Sequence, residues 1–191
     1  MQDLINNTLT DKNTSHSYME LYEKLLSGKK ESATTVLEVG IGDFGEKNGG
    51  SIKLWRDYFT NATIYGLDIL PEDRVIDELL TDPRVVLYTS TNAYNEDFVN
   101  DNFVTKGLKF DFMLDDGPHT LQSMKDFIRL YLPLLKEDGI LIIEDVQSVD
   151  WFGHLMLEVP EDLKKYINIY DRRHMKGRYD DLVFTINMTR R

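Results

Sequence analysis

Short apolar runs alternate with amphipathic stretches along the chain from about residue 34. The apolar runs predict strands at 34–39, 62–68, 85–89, 110–114 and 140–143, and two further β-rich runs at 166–170 and 181–188. Helical periodicity predicts helices at 51–59, 72–80, 95–102, 119–135 and about 152–166, after an N-terminal helix at about 15–26. A polar loop is expected at 171–178.

This alternation is typical of βαβ crossovers and predicts an α/β fold with a mainly parallel sheet covered by helices on both faces. We expect one domain over residues 1–191, with residues 1–33 as a helical appendage packed on it. In such a sheet, ligands bind beyond the carboxyl ends of the strands. We therefore expect the functional residues at the carboxyl ends of the strands.

Composition narrows the function classes. The chain has 33 acidic and 22 basic residues, a net charge of −11, which disfavours nucleic acid and anionic membranes as partners. It has no cysteine, which excludes disulfides, thiolate metal sites and a cysteine nucleophile. No apolar run approaches the roughly 20 residues that span a bilayer, and the first residues lack a signal-peptide pattern. We therefore expect a soluble cytoplasmic protein.

The first two predicted strands end in residues suited to a nucleoside. The first leads into Glu38-Val-Gly-Ile-Gly42, and the stretch from Gly40 to Gly45 matches G-x-G-x-x-G. The loop continues to a helix start at Ser51, however, which is later than a dinucleotide site requires. Asp68, at the end of the second strand, can accept hydrogen bonds from a ribose diol. Simple turns are the alternative explanation, but the combination favours a nucleoside site.

Acidic residues follow the fourth and fifth predicted strands. The fourth leads into Asp115-Asp-Gly-Pro-His119, and the fifth into Glu144-Asp145. Neighbouring parallel strands would bring these four carboxylates together, where they repel one another unless protons or a cation intervene. Hard oxygen ligands suit Mg²⁺. Helix N-caps are the alternative role for one or two of these acids. His119 is a candidate general base, because histidine is the side chain most often used to accept a proton in catalysis.

Together these motifs resemble the class I S-adenosylmethionine-dependent methyltransferases, and most closely the Mg²⁺-dependent sugar O-methyltransferases of macrolide and related glycosides. The resemblance covers nearly the whole chain. It includes Thr10-Asp-Lys-Asn-Thr-Ser-His16-Ser-Tyr18, Leu37–Gly42, Gly49-Gly-Ser51 with Trp55, Gly66-Leu-Asp68, Asp115–His119 and Ile143–Asp145. It implies a Rossmann-like class I methyltransferase fold with a seven-stranded sheet and an antiparallel last strand.

The resemblance also implies roles for individual residues. The metal ligands would be Asp116, Glu144 and Asp145, and His119 would be the catalytic base. The S-adenosylmethionine site would use Tyr18, Glu38, Gly40, Gly42, Ser51, Asp68, Asn92 and Asp115. The chain departs from the family pattern at Pro118, where serine is usual, and at 91–94, where Thr-Asn-Ala-Tyr replaces a polar stretch. The large N-terminal auxiliary domain of those enzymes is not expected within 191 residues.

The implied activity is S-adenosylmethionine- and Mg²⁺-dependent O-methylation (EC 2.1.1.-) of a sugar or glycan hydroxyl. The acceptor would be a glycosylated metabolite, a nucleotide sugar or a polysaccharide, and a homodimer is compatible with the aromatic content. Three alternatives stay open: a catechol or phenol O-methyltransferase, an NAD-dependent oxidoreductase using the glycines, and a non-catalytic glycan-binding protein. Catechol and phenol O-methyltransferases of this kind typically use an Asp-Asp-Asn metal set, whereas the second acidic pair of this chain is Glu144-Asp145.

Overall fold

The structure is a computed structural model that describes residues 1–43 and 45–189. Phe44, within the glycine-rich motif, and Arg190 and Arg191 lie outside the described residues. The chain divides into two compact units, Met1–Asn92 and Ala93–Arg191. None of the helices in the described ranges is long and apolar enough to cross a membrane.

The described residues of the first unit form three parallel strands and three α-helices. In chain order they are α1 (Tyr18–Leu26), β1 (Thr35–Val39), α2 (Gly50–Tyr58), β2 (Thr63–Leu67), α3 (Asp77–Leu80) and β3 (Val85–Tyr88). Strand β2 pairs in parallel with β1 and with β3. A buried aromatic group formed by Tyr18, Tyr22, Trp55 and Phe59 packs α1 and the end of α2 into the core.

Within residues 93–189, the second unit forms four strands and four α-helices. In chain order they are α4 (Glu96–Val99), β4 (Phe110–Asp115), α5 (Leu121–Tyr131), β5 (Leu135–Ile143), α6 (Trp151–Glu158), β6 (Ile167–Asp171), α7 (Arg173–Lys176) and β7 (Leu182–Asn187). Strands β4 and β5 are parallel, whereas β7 runs antiparallel to β5 and β6. All six residues of β4 and of β7 are buried, as expected for strands in the middle of a sheet.

The strand order is β3-β2-β1-β4-β5-β7-β6 in a seven-stranded sheet. The mainly parallel sheet and the antiparallel last strand are those predicted from the sequence. Several predicted boundaries differ. The helix expected at 72–80 is a 3₁₀ turn at Glu72–Arg74 followed by α3, and the helix expected at 95–102 is α4 followed by a π-helical segment at Asn100–Val104. The polar loop expected at 171–178 contains the short helix α7. The helix expected at 119–135 ends at Tyr131, because Pro133 lies in a following 3₁₀ turn, and β5 already begins at Leu135. The helix expected at 152–166 ends at Glu158, just before Pro160, and a 3₁₀ segment follows.

Candidate functional site

The glycine-rich loop after β1 adopts a backbone that favours glycine. Gly40 and Gly42 have φ angles of 94° and 133°, in the region that L-residues with a side chain rarely adopt. A Cβ at Gly42 would lie 3.3 Å from Asn48 Oδ1, so the side of the loop is also closely packed. Helix α2 begins only at Gly50, which agrees with the long loop expected from the sequence. The spacing therefore differs from that of a dinucleotide fingerprint.

Asp68 binds this loop directly. Its Oδ2 accepts hydrogen bonds from the backbone N–H groups of Ile41 at 2.6 Å and Gly42 at 3.3 Å, and its Oδ1 accepts one from Leu70 at 2.8 Å. Each carboxylate oxygen can accept two hydrogen bonds. Oδ1 can therefore accept one further hydrogen bond, for example from a ribose hydroxyl, while these three are kept.

Glu38 is fully buried and is held by two residues to which the sequence assigned no role. Its Oε2 accepts a hydrogen bond from Trp55 Nε1 at 2.9 Å, and its Oε1 lies 3.7 Å from Lys12 Nζ, which is also buried. Lys12 and Trp55 both lie in stretches that carry the family resemblance, and this was the sequence feature that could have identified them as functional residues. Burial of the ion pair fixes the Glu38 carboxylate at the end of β1.

The other predicted cofactor residues of the first unit lie in different environments. Tyr18 is buried and its ring stacks on His16, with ring centroids 5.0 Å apart. Ser51 is buried in the first turn of α2, whereas Asn92 is exposed at the end of the unit. The structure thus places Tyr18 and Ser51 inside the first unit and leaves Asn92 on its surface.

In the second unit, the parallel pairing of β4 and β5 brings the acidic strand ends together. Asp115 is in register with Ile143, and the Glu144 N–H donates to the Asp115 carbonyl at 3.2 Å. His119 Nε2 lies 3.7 Å from Asp116 Oδ1 and 3.7 Å from Asp145 Oδ2. Asp116, His119 and Asp145, hereafter the acidic cluster, offer ligand atoms that all lie within 4.8 Å of one another.

The remaining two predicted acids lie deeper. Glu144 is 1% exposed and Asp115 is 2% exposed; Asp145 is also buried, at 7%, whereas the Asp116 side chain is 20% exposed. Asp115 turns away from solvent and accepts a 2.5 Å hydrogen bond from the Tyr94 hydroxyl. Successive strand residues point to opposite faces, which separates Asp115 from Asp116.

Two members of the acidic cluster have an unusual backbone. His119 and Asp145 have φ angles of 51° and 53°, and Ser90 is the one other non-glycine residue with a positive φ in the described part of the chain. This conformation costs about 1 kcal/mol or more for a residue with a Cβ. Such strain persists only where the surroundings hold it, which is common at functional sites.

The pKa of Asp115 is raised to about 7, mainly by burial and also by the negative charge of Asp116, although the hydrogen bond from Tyr94 acts to lower it. Burial together with the Asp115 charge raises the pKa of Tyr94 far above its ordinary value, so Tyr94 stays protonated and remains a hydrogen-bond donor.

The Asp115 carboxyl should make the metal-free protein less stable as the pH rises. Its pKa in the folded state lies above the ordinary 3.8 of the unfolded chain, so the folded state binds more protons between about pH 4 and pH 7. The free energy of unfolding should fall across that window, by up to about 4 kcal/mol from this group. Urea denaturation at several pH values, in wild type and in Asp115→Asn, measures this. An equal slope in both proteins would exclude Asp115 as the cause.

The residues present fit the groups that the resemblance implies. The acidic cluster, with Glu144 at the same strand end, supplies mainly carboxylate oxygens, which Mg²⁺ prefers. In the first unit, the glycine loop presents backbone without side chains, and Asp68 keeps one acceptor direction for a ribose hydroxyl. The acidic cluster with Glu144 therefore suits a hard cation, and the glycine loop with Asp68 suits a nucleoside.

Comparison with known proteins identifies relatives by sequence similarity. No family model matches the chain. The 8-demethyl-8-α-L-rhamnosyl tetracenomycin-C 2'-O-methyltransferase of Streptomyces olivaceus is 27% identical over 144 residues, which are 74% of this chain and 36% of that protein. Mycinamicin VI 2''-O-methyltransferase of Micromonospora griseorubida is 28% identical over 140 residues, 72% of this chain and 33% of the relative. The chain thus spans about a third of the length of the curated relatives that it matches.

Among solved structures, a methyltransferase of the mycinamycin biosynthetic pathway in complex with Mg, SAH and mycinamycin VI superposes with a TM-score of 0.70 at 18% identity. The match covers 91% of this chain and 50% of that one. At this identity the likeness shows the fold alone. Together the comparisons confirm the prediction from the sequence: this chain has the class I methyltransferase fold and is similar in sequence to sugar O-methyltransferases of macrolide and tetracenomycin pathways.

Proposed function

We propose that this protein is an S-adenosylmethionine- and Mg²⁺-dependent O-methyltransferase that acts on a hydroxyl of a sugar-containing molecule. The observation that carries the proposal is the acidic cluster, in which one histidine lies 3.7 Å from each of two carboxylates. This arrangement suits a base that removes a proton beside a cation. Sequence similarity to sugar O-methyltransferases supports a sugar acceptor.

Asp116, Glu144 and Asp145 would hold Mg²⁺, which when bound would supply positive charge that lowers the pKa of a sugar hydroxyl. His119 Nε2 would accept the proton of that hydroxyl. The carboxylates of Asp116 and Asp145, each 3.7 Å from His119 Nε2, would orient the imidazole for this transfer. Bound S-adenosylmethionine would supply the methyl group to the deprotonated hydroxyl and would be released as S-adenosylhomocysteine. Methyl transfer needs no acid, so positioning provides most of the acceleration.

The cofactor would be held mainly by the glycine loop and Asp68. The backbone of Gly40 and Gly42 would approach it closely, and Asp68 Oδ1 would accept from the ribose. Tyr18, Glu38, Ser51, Asn92 and Asp115 complete the proposed set, with residues 1–33 contributing to the cofactor site of a single domain. A cytoplasmic location, a homodimer and the absence of a nucleic-acid partner remain predictions from the sequence.

Transfer of a labelled methyl group tests the proposal. The full chain is incubated with labelled S-adenosylmethionine and a panel of a rhamnosylated polyketide, a nucleotide sugar, a polysaccharide and a catechol, with Mg²⁺ or with excess EDTA. Label should enter a sugar-containing acceptor with Mg²⁺, and the rate should fall at least about 100-fold in EDTA and recover when Mg²⁺ is restored.

Three results would contradict this assignment. Activity that survives exhaustive chelation would exclude the metal, and transfer to the catechol alone would favour the phenol-type alternative. Binding of NAD instead of S-adenosylmethionine would favour an oxidoreductase. The late start of α2 at Gly50 and the clustered acids argue against that last alternative.

A further inference from the structure

Tyr94 follows β3 in a stretch where this chain departs from the family pattern, and the proposed function assigns it no role. Its hydroxyl donates a 2.5 Å hydrogen bond to Oδ1 of Asp115, the buried last residue of β4. Asp115 is followed at once by Asp116 and, three residues later, by His119. Tyr94 therefore contacts the start of the loop that carries two members of the acidic cluster.

The loop is shaped around this hydroxyl. A Cβ on Gly117 would overlap the Tyr94 hydroxyl oxygen and would lie 3.1 Å from Asp115 Oδ1. Gly117 has no positive φ, so its backbone conformation does not explain why a glycine is needed there. The position instead has no space for a side chain because Tyr94 fills it.

The same hydroxyl also reaches the far end of the loop. It interacts with the Ser123 side chain, which forms a capping box with Thr120 at the start of α5. Ser123 N–H donates to Thr120 Oγ1 at 3.0 Å, and Thr120 N–H donates to Ser123 Oγ at 3.2 Å. Thr120 directly follows His119, so Tyr94 contacts both ends of the segment from Asp115 to Ser123.

Tyr94 is itself held in place from α5. The Tyr131 hydroxyl donates to the carbonyl of Ala93, the residue before Tyr94, at 2.7 Å. Tyr131 is fully buried and stacks on Phe127, with centroids 4.9 Å apart. This hydrogen bond from the last residue of α5 holds the backbone from which Tyr94 projects.

We propose that Tyr94 is a positioning residue whose hydroxyl braces the Asp115–Ser123 segment and so keeps Asp116 and His119 in their mutual geometry. Such support is needed because His119 has a φ of 51°, and a loop without it would relax to a backbone conformation of lower energy. Polar groups that orient metal ligands from behind commonly contribute about 10-fold to 100-fold in metal affinity or activity. This inference rests on the proposed function for its effect on catalysis.

Tyr94→Phe removes only the hydroxyl. Titration of the protein with Mg²⁺ alone should show an affinity about 10-fold weaker than in wild type, and kcat should fall about 10-fold or more, a larger change than that in KM for S-adenosylmethionine. Tyr166→Phe, the same chemical change in the 3₁₀ segment Glu161–Tyr166, is the matched control and should behave as wild type. Unchanged Mg²⁺ affinity and kcat in Tyr94→Phe would overturn the proposal.

Hydrogen exchange provides a readout that needs no metal and no cofactor. In Tyr94→Phe, exchange should accelerate in the peptide covering Asp115–Ser123 and stay unchanged in β5 and β7. If wild type binds no Mg²⁺, the proposed function fails, whereas faster exchange confined to this segment still supports the brace. Wild-type exchange in the segment overturns it.

A second pair of variants guards against misfolding of Tyr94→Phe. Gly117→Ala should weaken Mg²⁺ binding by about 10-fold in the wild-type background, because the new methyl group displaces the Tyr94 hydroxyl. Tyr131→Phe removes the hydrogen bond to the Ala93 carbonyl and should weaken Mg²⁺ binding a few-fold. Wild-type affinity in both variants would overturn the proposal.

Discussion

Replacing His119 by alanine is expected to lower kcat for methyl transfer by about 100-fold to 10,000-fold, the range by which a positioned base accelerates a proton transfer. The reason is geometric: in the described part of the chain, His119 is the histidine grouped with Asp116 and Asp145. S-adenosylmethionine affinity should be nearly unchanged, since no cofactor role is assigned to this side chain. Single-turnover rates with saturating substrate and calorimetric binding of the cofactor measure the two quantities.

The matched control is His154→Ala, because His154 is exposed on α6. This variant should keep wild-type kinetics. Near-wild-type turnover in His119→Ala at saturating acceptor would show that another group takes the proton, and the proposed role of His119 would be wrong.

Asp145→Asn should lower the affinity for Mg²⁺ by more than about 100-fold and reduce activity at least as much. The change removes one negative charge and keeps the size of the side chain. Asparagine also tolerates the positive φ of 53° at this position, so the backbone should stay in place. The loss would therefore report on metal binding and not on misfolding.

Isothermal titration with Mg²⁺ and a thermal melt of the same sample separate these effects. Asp162→Asn, on an exposed residue of the 3₁₀ segment before β6, removes the same charge and should change neither quantity. Wild-type Mg²⁺ affinity in Asp145→Asn would remove this residue from the proposed ligand set.

The order of elements and the position of the strand ends could be predicted because both follow from local patterns. Apolar runs separated by amphipathic helices specify a parallel sheet, and the acids after β4 and β5 are adjacent because those strands pair. The ends of α5 and α6 were predicted too late, because each helix stops near a proline before its apolar pattern does.

The direction of individual side chains at the site could not be read in the same way. Asp115 and Asp116 are adjacent acids, yet one is buried against Tyr94 and the other lies near His119. That division depends on tertiary packing of residues about 20 positions away. Likewise, nothing local to Glu38 indicates that Trp55 and Lys12 hold its carboxylate. Long-range partners of this kind are set by the fold, not by the local pattern.

The left-handed backbone at His119 and Asp145 has a consequence for engineering. Glycine or asparagine would relieve the strain at either position, so both substitutions are candidates for a more heat-resistant protein. The same substitutions remove the imidazole and the carboxylate on which the proposed chemistry depends. A library screened for thermal resistance alone would therefore enrich inactive variants at these two positions, whereas a screen that also demands turnover would retain the strained residues.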